Sequence, residues 1–243
     1  NGTEENPFSS IQFAIDVANS GPDTIYVDSG IYVENINTNG KNLFLHSING
    51  PEETTIDGNN QGVTVQLVGS KINGFRIING GDSSDQWASE RKGGIYTGTG
   101  GQGYNIENCI IENNLMGIVI GGDHLVKDCI IRNNINDDTG SQGGIRVVNG
   151  DLILERSLVH DNSQGLVNTS IGEIHITNST FVDNNINSSG GNFNFINSIM
   201  YDTSESPWFL ENSFSLNWQY DHTFHYSSLH PNSNPPIDCG NCL

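Results

Sequence analysis

From residue 72 onward the apolar and polar positions follow one recurring phrase. An apolar residue precedes an anchor by three, a second apolar residue follows the anchor by two, and Asn or Asp follows it by four. The anchors are Phe75, Cys109, Cys129, Ser157, Ser179 and Ser198. The preceding apolar residues are Ile72, Ile106, Val126, Leu154, Ile176 and Phe195; the following ones are Ile77, Ile111, Ile131, Val159, Phe181 and Met200. Asn79, Asn113, Asn133, Asp161, Asp183 and Asp202 close each phrase. Successive anchors lie 34, 20, 28, 22 and 19 residues apart. A unit this short cannot bury its own apolar face and must stack on its neighbours.

The unit is too short for a helix pair, and its apolar residues alternate over short stretches, which predicts strands. A second phrase falls between anchors: Gly94-Ile95-Tyr96-Thr97, Gly117-Ile118-Val119-Ile120, Gly144-Ile145-Arg146-Val147 and Gly165-Leu166-Val167-Asn168. Each coil therefore carries about three strands, paired in parallel with the next coil at ~4.8 Å. Connections between parallel strands favour a right-handed path. The prediction is all-β: a single-domain right-handed parallel β-helix, a solenoid with an N-terminal capping α-helix.

Asn fits the bends because it tolerates the left-handed backbone region and bonds to nearby backbone. Asn108, Asp128, Asn178 and Asn197 are assigned to one bend, a series that Arg156 breaks; Asn114, Asn134, Asn162 and Asn184 are assigned to another. Their amides are expected to bond along the axis. At the N-terminus, Ser9 with Gln12 reads as a capping box and Phe8 with Phe13 as a hydrophobic staple. Ile11, Ala14, Ile15 and Ala18 form a helical stripe that Gly21-Pro22 ends. Such a helix would cover an otherwise open sheet edge. Three segments follow: 1–22 with the helix, 23–205 as the β-helix, and 206–243 as an aromatic-rich cap and tail (Trp208, Phe209, Phe214, Trp218, Tyr220, Phe224, Tyr226).

Charge narrows the partners. Twenty-eight acidic and nine basic residues give a net charge of −19, which argues against nucleic acid and anionic membrane surfaces. No apolar run is long enough to span a bilayer. The abrupt start at Asn1-Gly2 fits a mature secreted protein or a trimmed sequence, so a secreted or cell-surface monomer is expected. Cys109 and Cys129, as successive anchors, should stack in the core as thiols, with a disulfide along the stack as the alternative. Cys239 and Cys242 have a CxxC spacing but no second pair, which disfavours zinc and leaves a small terminal disulfide or nothing.

Several segments resemble the pectin-lyase-like β-helix proteins. They are Asn6-Pro7-Phe8-Ser9-Ser10-Ile11-Gln12 with Ala14-Ile15, Asp23-Thr24-Ile25-Tyr26-Val27, Gly30-Ile31-Tyr32, and Glu53-Thr54-Thr55-Ile56-Asp57-Gly58. The coils of the type Ile-x-Asn-Cys-x-Ile-x-Asn-Asn extend the match over residues 6 to about 203. The resemblance implies the fold and a polysaccharide partner. It does not choose among lyases, hydrolases, esterases, epimerases and non-catalytic surface proteins. The Gly-His-Gly and Arg-Ile-Lys segments of polygalacturonase-like hydrolases are missing, and so are the pectin-esterase catalytic segments. Lyases of this superfamily place a Lys base and an Arg on successive coils beside calcium. Lys127 and Arg146 are 19 residues apart, but Lys127 falls between Glu107 and Glu155 in a Glu-Lys-Glu ion ladder.

Candidate chemistry gathers in two long loops. The anchor-to-Gly distance is eight residues after Cys109 and Ser157, but 19 after Phe75 and 15 after Cys129. The loops, Gly80 to Gly93 and Asn134 to Gly143, enter the same strand position two coils apart, so their bases lie ~10 Å apart and could wall a groove. Asp82, Asp85, Glu90, Asp137 and Asp138 are candidate ligands for calcium, a hard cation. Trp87 and Tyr96 could stack on a sugar, and Arg91 and Arg146 could pair with a uronate carboxylate. The outward residues between the loops are expected to be Tyr96, Val119, Arg146 and Val167.

For an enzyme, a lyase ranks first, with Lys92 or Arg146 as the base and calcium bridging acidic protein and acidic sugar. A glycoside hydrolase ranks second, with Asp82 or Asp85 paired with Asp137. The leading expectation is an extracellular carbohydrate-active β-helix acting on or binding acidic polysaccharide. The alternative is a non-catalytic carbohydrate-binding or structural adhesion module.

Overall fold

The computed structural model describes residues 2–81, 93–98, 102–135, 143–184, 186–188, 190–201, 214–215, 222–225 and 228–229. It is a solenoid of three parallel sheets, each coil giving one strand to each. Sheet 1 stacks Asp23–Val27, Leu43–Ser47, Lys71–Asn73, Gln102–Glu107, Asp123–Lys127, Leu152–Glu155, Ile174–Thr177, Phe193–Ile196 and His222–His225. Sheet 2 stacks Gly30–Val33, Thr54–Asp57, Arg76–Ile78, Ile110–Glu112, Ile130–Arg132, Leu158–His160, Thr180–Val182, Ile199–Tyr201 and Ser228–Leu229. Sheet 3 stacks Ile36–Asn37, Val65–Gln66, Ile95–Tyr96, Ile118–Gly121, Ile145–Asn149, Leu166–Asn168, Ile186–Ser188 and Phe214–Ser215. The sheets thus run on beyond residue 205, into the stretch where the repeated phrase fades.

The phrase dictates the register. Ile72, Ile106, Val126, Leu154, Ile176 and Phe195 are consecutive partners in sheet 1, and Ile77, Ile111, Ile131, Val159, Phe181 and Met200 in sheet 2. Both rows face the interior; Met200 is half-buried, and the other members are almost entirely shielded from water. One buried spine therefore runs the length of the coil stack.

The bends explain the anchors. Asn108, Asp128, Arg156, Asn178 and Asn197 turn the chain from sheet 1 to sheet 2 with φ of 45–55°. The anchors after these five bends (Cys109, Cys129, Ser157, Ser179, Ser198) are small and hydrogen-bonding. Ser157 Oγ donates to the Glu155 carbonyl at 2.8 Å and accepts the Cys129 N–H at 3.2 Å. Ser179 and Ser198 accept from Ser157 and Ser179 in the same way. The Cys129 thiol donates to the Lys127 carbonyl at 3.2 Å, and Cys109 to that of Glu107 at 3.1 Å; both are free, buried thiols. Arg156, although an outlier in type, keeps the bend's conformation and reaches back to Asp128, Nε to Oδ1 at 2.8 Å and Nη2 to Oδ2 at 2.7 Å.

The second bend divides its tasks between two residues. The positive φ belongs to Asn79, Asn113, Asn133, Asp161 and Asp183. The residue after each of the last four (Asn114, Asn134, Asn162, Asn184) turns its amide inward, and in the first three Nδ2 donates to the Oδ1 of the next coil's Asn at 2.9–3.1 Å. The glycines that open the sheet 3 strands let the coils close up. A Cβ on Gly117 would meet the Gly144 carbonyl oxygen at 2.4 Å.

The helix spans Ile11–Val17 and buries Ile11 and Ile15 against the first coil. Its cap differs from the capping-box expectation. Ser10, not Ser9, is the N-cap, with Oγ accepting the Phe13 N–H at 3.1 Å. The Glu34 carboxylate accepts from Ser10 Oγ, Ile11 N and Gln12 N at 2.9–3.0 Å. With the terminal N–H groups met from the bend that carries Glu34, Gln12 is released to pair with the Asn37 backbone. Lys41 Nζ donates to the carbonyls of Ile15, Asp16 and Ala18 at 2.7–2.9 Å. Phe8 and Phe13 pack edge to face at 4.9 Å, as the staple predicts. Among the described residues, no helix is long and apolar enough to cross a membrane.

Candidate functional site

The two long segments leave and rejoin the solenoid where expected. The first departs beside Gly81, whose backbone pairs with Gly62, and returns at Gly93-Gly94, where Gly94 N donates to the Met116 carbonyl at 2.7 Å. The second departs after Ile135 and returns at Gly143-Gly144, where Gly117 N donates to the Gly143 carbonyl at 2.8 Å. The strands they enter, Ile95–Tyr96 and Ile145–Asn149, flank Ile118–Gly121 in sheet 3.

Between those entry points lies the outer row of sheet 3. Gln66, Tyr96, Val119, Arg146 and Val167 are successive register partners. Their alternates, Val65, Ile95, Ile118, Ile145 and Leu166, point into the core. The parity of the Gly-Ile phrase thus sets which residues face out. The row is unusually apolar: Val119 is fully buried, and Tyr96 is only 6 % exposed, packed with Met116, Val63 and Val148. Tyr96 therefore offers little ring for a sugar. Arg146, half-buried, is the row's cation, set between the two valines. No carboxylate stands on this row among the described residues.

Of the other expected site residues, Asp82, Asp85, Trp87, Glu90, Arg91 and Lys92 lie outside the described residues, as do Asp137 and Asp138. Among the described residues, no group of three His, Cys, Asp or Glu side chains could hold a metal ion. Arg76 and Arg132 clasp the buried Glu112 at 3.2 and 2.6 Å on sheet 2, and Arg156 holds Asp128. Glu107, Lys127 and Glu155 are register partners as expected, yet no ion pair joins them. Instead, Asn105 Nδ2 donates to Glu107 Oε1 at 2.8 Å, and Arg156 Nη1 draws Glu155 Oε2 to 3.8 Å.

His124 has no counterpart in the expected site. It falls on an inward position of sheet 1, between Tyr104 and Leu152, stacking on Tyr104 at 5.1 Å. Its Nε2 lies 2.9 Å from Thr97 Oγ1 and 3.2 Å from the Gly121 carbonyl. Burial pushes its pKa below the usual imidazole value. The parity of Asp123–Lys127 was the available signal.

Neither a protein-family profile nor a curated protein sequence matches the chain. Solved structures do. Pectin methylesterase PemA from Erwinia chrysanthemi superposes with a TM-score of 0.58 at 12% identity, over 100% of this chain and 91% of that one. A pectin methylesterase mutant in complex with a hexasaccharide gives 0.57 at 13% identity, over 98% and 92%. The Aspergillus niger pectin methylesterase gives 0.50 at 15% identity, over 96% and 77%. The chain shares the fold of these structures, a right-handed parallel β-helix.

Proposed function

We propose that this chain is a carbohydrate-active β-helix that engages an acidic polysaccharide along the outer face of sheet 3, with Arg146 pairing with a sugar carboxylate. The observation that carries the reading is the setting of Arg146. A guanidinium in an apolar row meets a carboxylate where water competes poorly, and its fork suits two parallel hydrogen bonds. The structural neighbours add support, since they are pectin methylesterases and one was solved with a hexasaccharide. A secreted or cell-surface location belongs to the same proposal.

If the chain cuts its polymer, elimination is the reaction that a sugar carboxylate neutralised by Arg146 suits, because the pairing acidifies the neighbouring C–H. A base takes the proton on the carbon next to the carboxylate, a double bond forms towards the neighbouring carbon, and the linked sugar oxygen leaves with a proton. With Arg146 committed to the carboxylate, Lys92 is the base candidate. The charge of −19 opposes a polyanion, and calcium is the bridging cation that would offset it.

The test is a panel of pectate, methyl-esterified pectin, alginate and chondroitin sulfate, each with calcium and with chelator. Gel retardation reports binding, ultraviolet absorbance reports the unsaturated product, and methanol release reports ester cleavage. Retardation by at least one acidic polymer is expected. No retardation and no product with any polymer would overturn the proposal and favour a structural module.

A further inference from the structure

A second concavity, of about 360 Å³, lies on the outer face of sheet 1, away from the row that carries Arg146. That volume is at the small end of ligand sites and suits one or two sugar rings rather than a long polymer. It is built on strands, so its parts are held by the solenoid. Phe44 and Lys71 are register partners on adjacent coils, and Thr24 precedes Phe44 in the same row. Asn105 and Glu107 share one strand further along.

The chemistry of these groups is complementary to a hydroxylated ring. Phe44 is half-buried and borders the concavity, its ring 5.4 Å from that of His46. An aromatic face is a platform for the C–H face of a pyranose. Lys71 is exposed and makes no ion pair among the described residues, leaving its ammonium to donate. Asn105 Nδ2 is committed to Glu107 Oε1 at 2.8 Å, which locks both side chains and turns the Asn105 carbonyl oxygen and the other Glu107 oxygen into fixed acceptors. One donor, two acceptors and one apolar face match a ring with neighbouring hydroxyls.

Charge decides between a neutral and an acidic ring. The lining carries Asp23 and Glu107 against Lys71, a sum of −1, on a chain of −19. A carboxylated sugar would meet net repulsion there, and a neutral one would not. We infer that this concavity is a binding site for a neutral pyranose, separate from the acidic-polymer face. It stands on the sheet 1 geometry alone and does not depend on the reading of Arg146.

Saturation-transfer NMR on the full chain tests it, with D-galactose, D-glucose, D-xylose and sodium D-galacturonate as probes, each at about 10 mM to reach a weak site. At least one neutral sugar is expected to receive saturation, more strongly than galacturonate does. F44A should cut that signal about fivefold or more, and K71M should weaken it, with circular dichroism unchanged. F44A should leave retardation by acidic polymers as it is, so failure here and failure of the sheet 3 proposal are distinguishable. No signal from any neutral sugar, a signal indifferent to F44A, or galacturonate as the strongest probe would each overturn the inference. If F44A misfolds, N105A replaces it under the same criteria.

Discussion

Asn134 Nδ2 donates to Asn162 Oδ1 at 2.9 Å, and the same oxygen accepts the Asn134 backbone N–H at 3.1 Å. One amide oxygen thus satisfies two donors of the coil before it. The arrangement recurs from Asn114 to Asn184, and Gly80 N joins its upper end through Asn114 Oδ1 at 2.7 Å. Breaking it in the middle strands buried donors on both sides. N134A is expected to lower unfolding free energy by about 2–4 kcal/mol, since unpaired buried polar groups cost about 1–3 kcal/mol each. Urea unfolding followed by circular dichroism checks this; a loss below about 0.5 kcal/mol would show that the ladder contributes little.

The sheet 3 glycines make a different demand. A Cβ at Gly117 meets a backbone oxygen that cannot swing aside, at 2.4 Å. G117A should cost about 3 kcal/mol or more, or prevent folding, as overpacking against backbone does. G40A is the control. Gly40 has open space around it, and its φ of 73° costs only local strain. Thermal melts of the two variants should differ clearly, with G117A the lower.

Glu34 clasps the helix from the bend after strand Gly30–Val33, two dozen residues away. E34A is expected to free the Ser10, Ile11 and Gln12 donors and cost about 1–2 kcal/mol. Hydrogen exchange should quicken first in residues 11–17. Uniform quickening across the solenoid instead would mean that the helix does not open on its own.

His124 links stability to pH. Its folded pKa lies below the 6.5 of a free imidazole because burial disfavours the cation. Below 6.5 the unfolded chain therefore binds a proton that the folded chain resists. The stabilisation is complete above 6.5 and drains away as pH falls through the folded pKa. Melting temperatures at about pH 7.5 and about pH 5 should show a drop that is smaller in H124Q. An equal drop in both proteins would assign the effect to other groups.

The fold was legible because stacking forces each coil to repeat the same inward residues. Ile106 and Val126 announce their pairing by their distance from Cys109 and Cys129, and the structure keeps that register. The helix cap was misplaced because a local motif such as Ser9 with Gln12 cannot reveal a carboxylate arriving from Glu34. The site was legible as a place, since loop length shows in the spacing. Its surface was not. Alternation marks Tyr96 as outward, but what packs over an outward residue is set by distant parts of the chain, here Met116 and Val63. His124 was overlooked for the opposite reason: a polar residue on an inward parity reads as noise until Thr97 is seen to meet it.

The most direct measurement compares two arginines on the polymer that retards the protein most strongly. R146A and R156A remove the same charge, but Arg156 sits on the exposed bend between sheets 1 and 2, bound to Asp128. Titration of fluorescent oligosaccharide should show R146A weakening binding by about tenfold or more, the worth of a charge-assisted pair, with R156A close to wild type. Equal affinities for wild type and R146A, or equal losses in both variants, would contradict the assignment of the sheet 3 face.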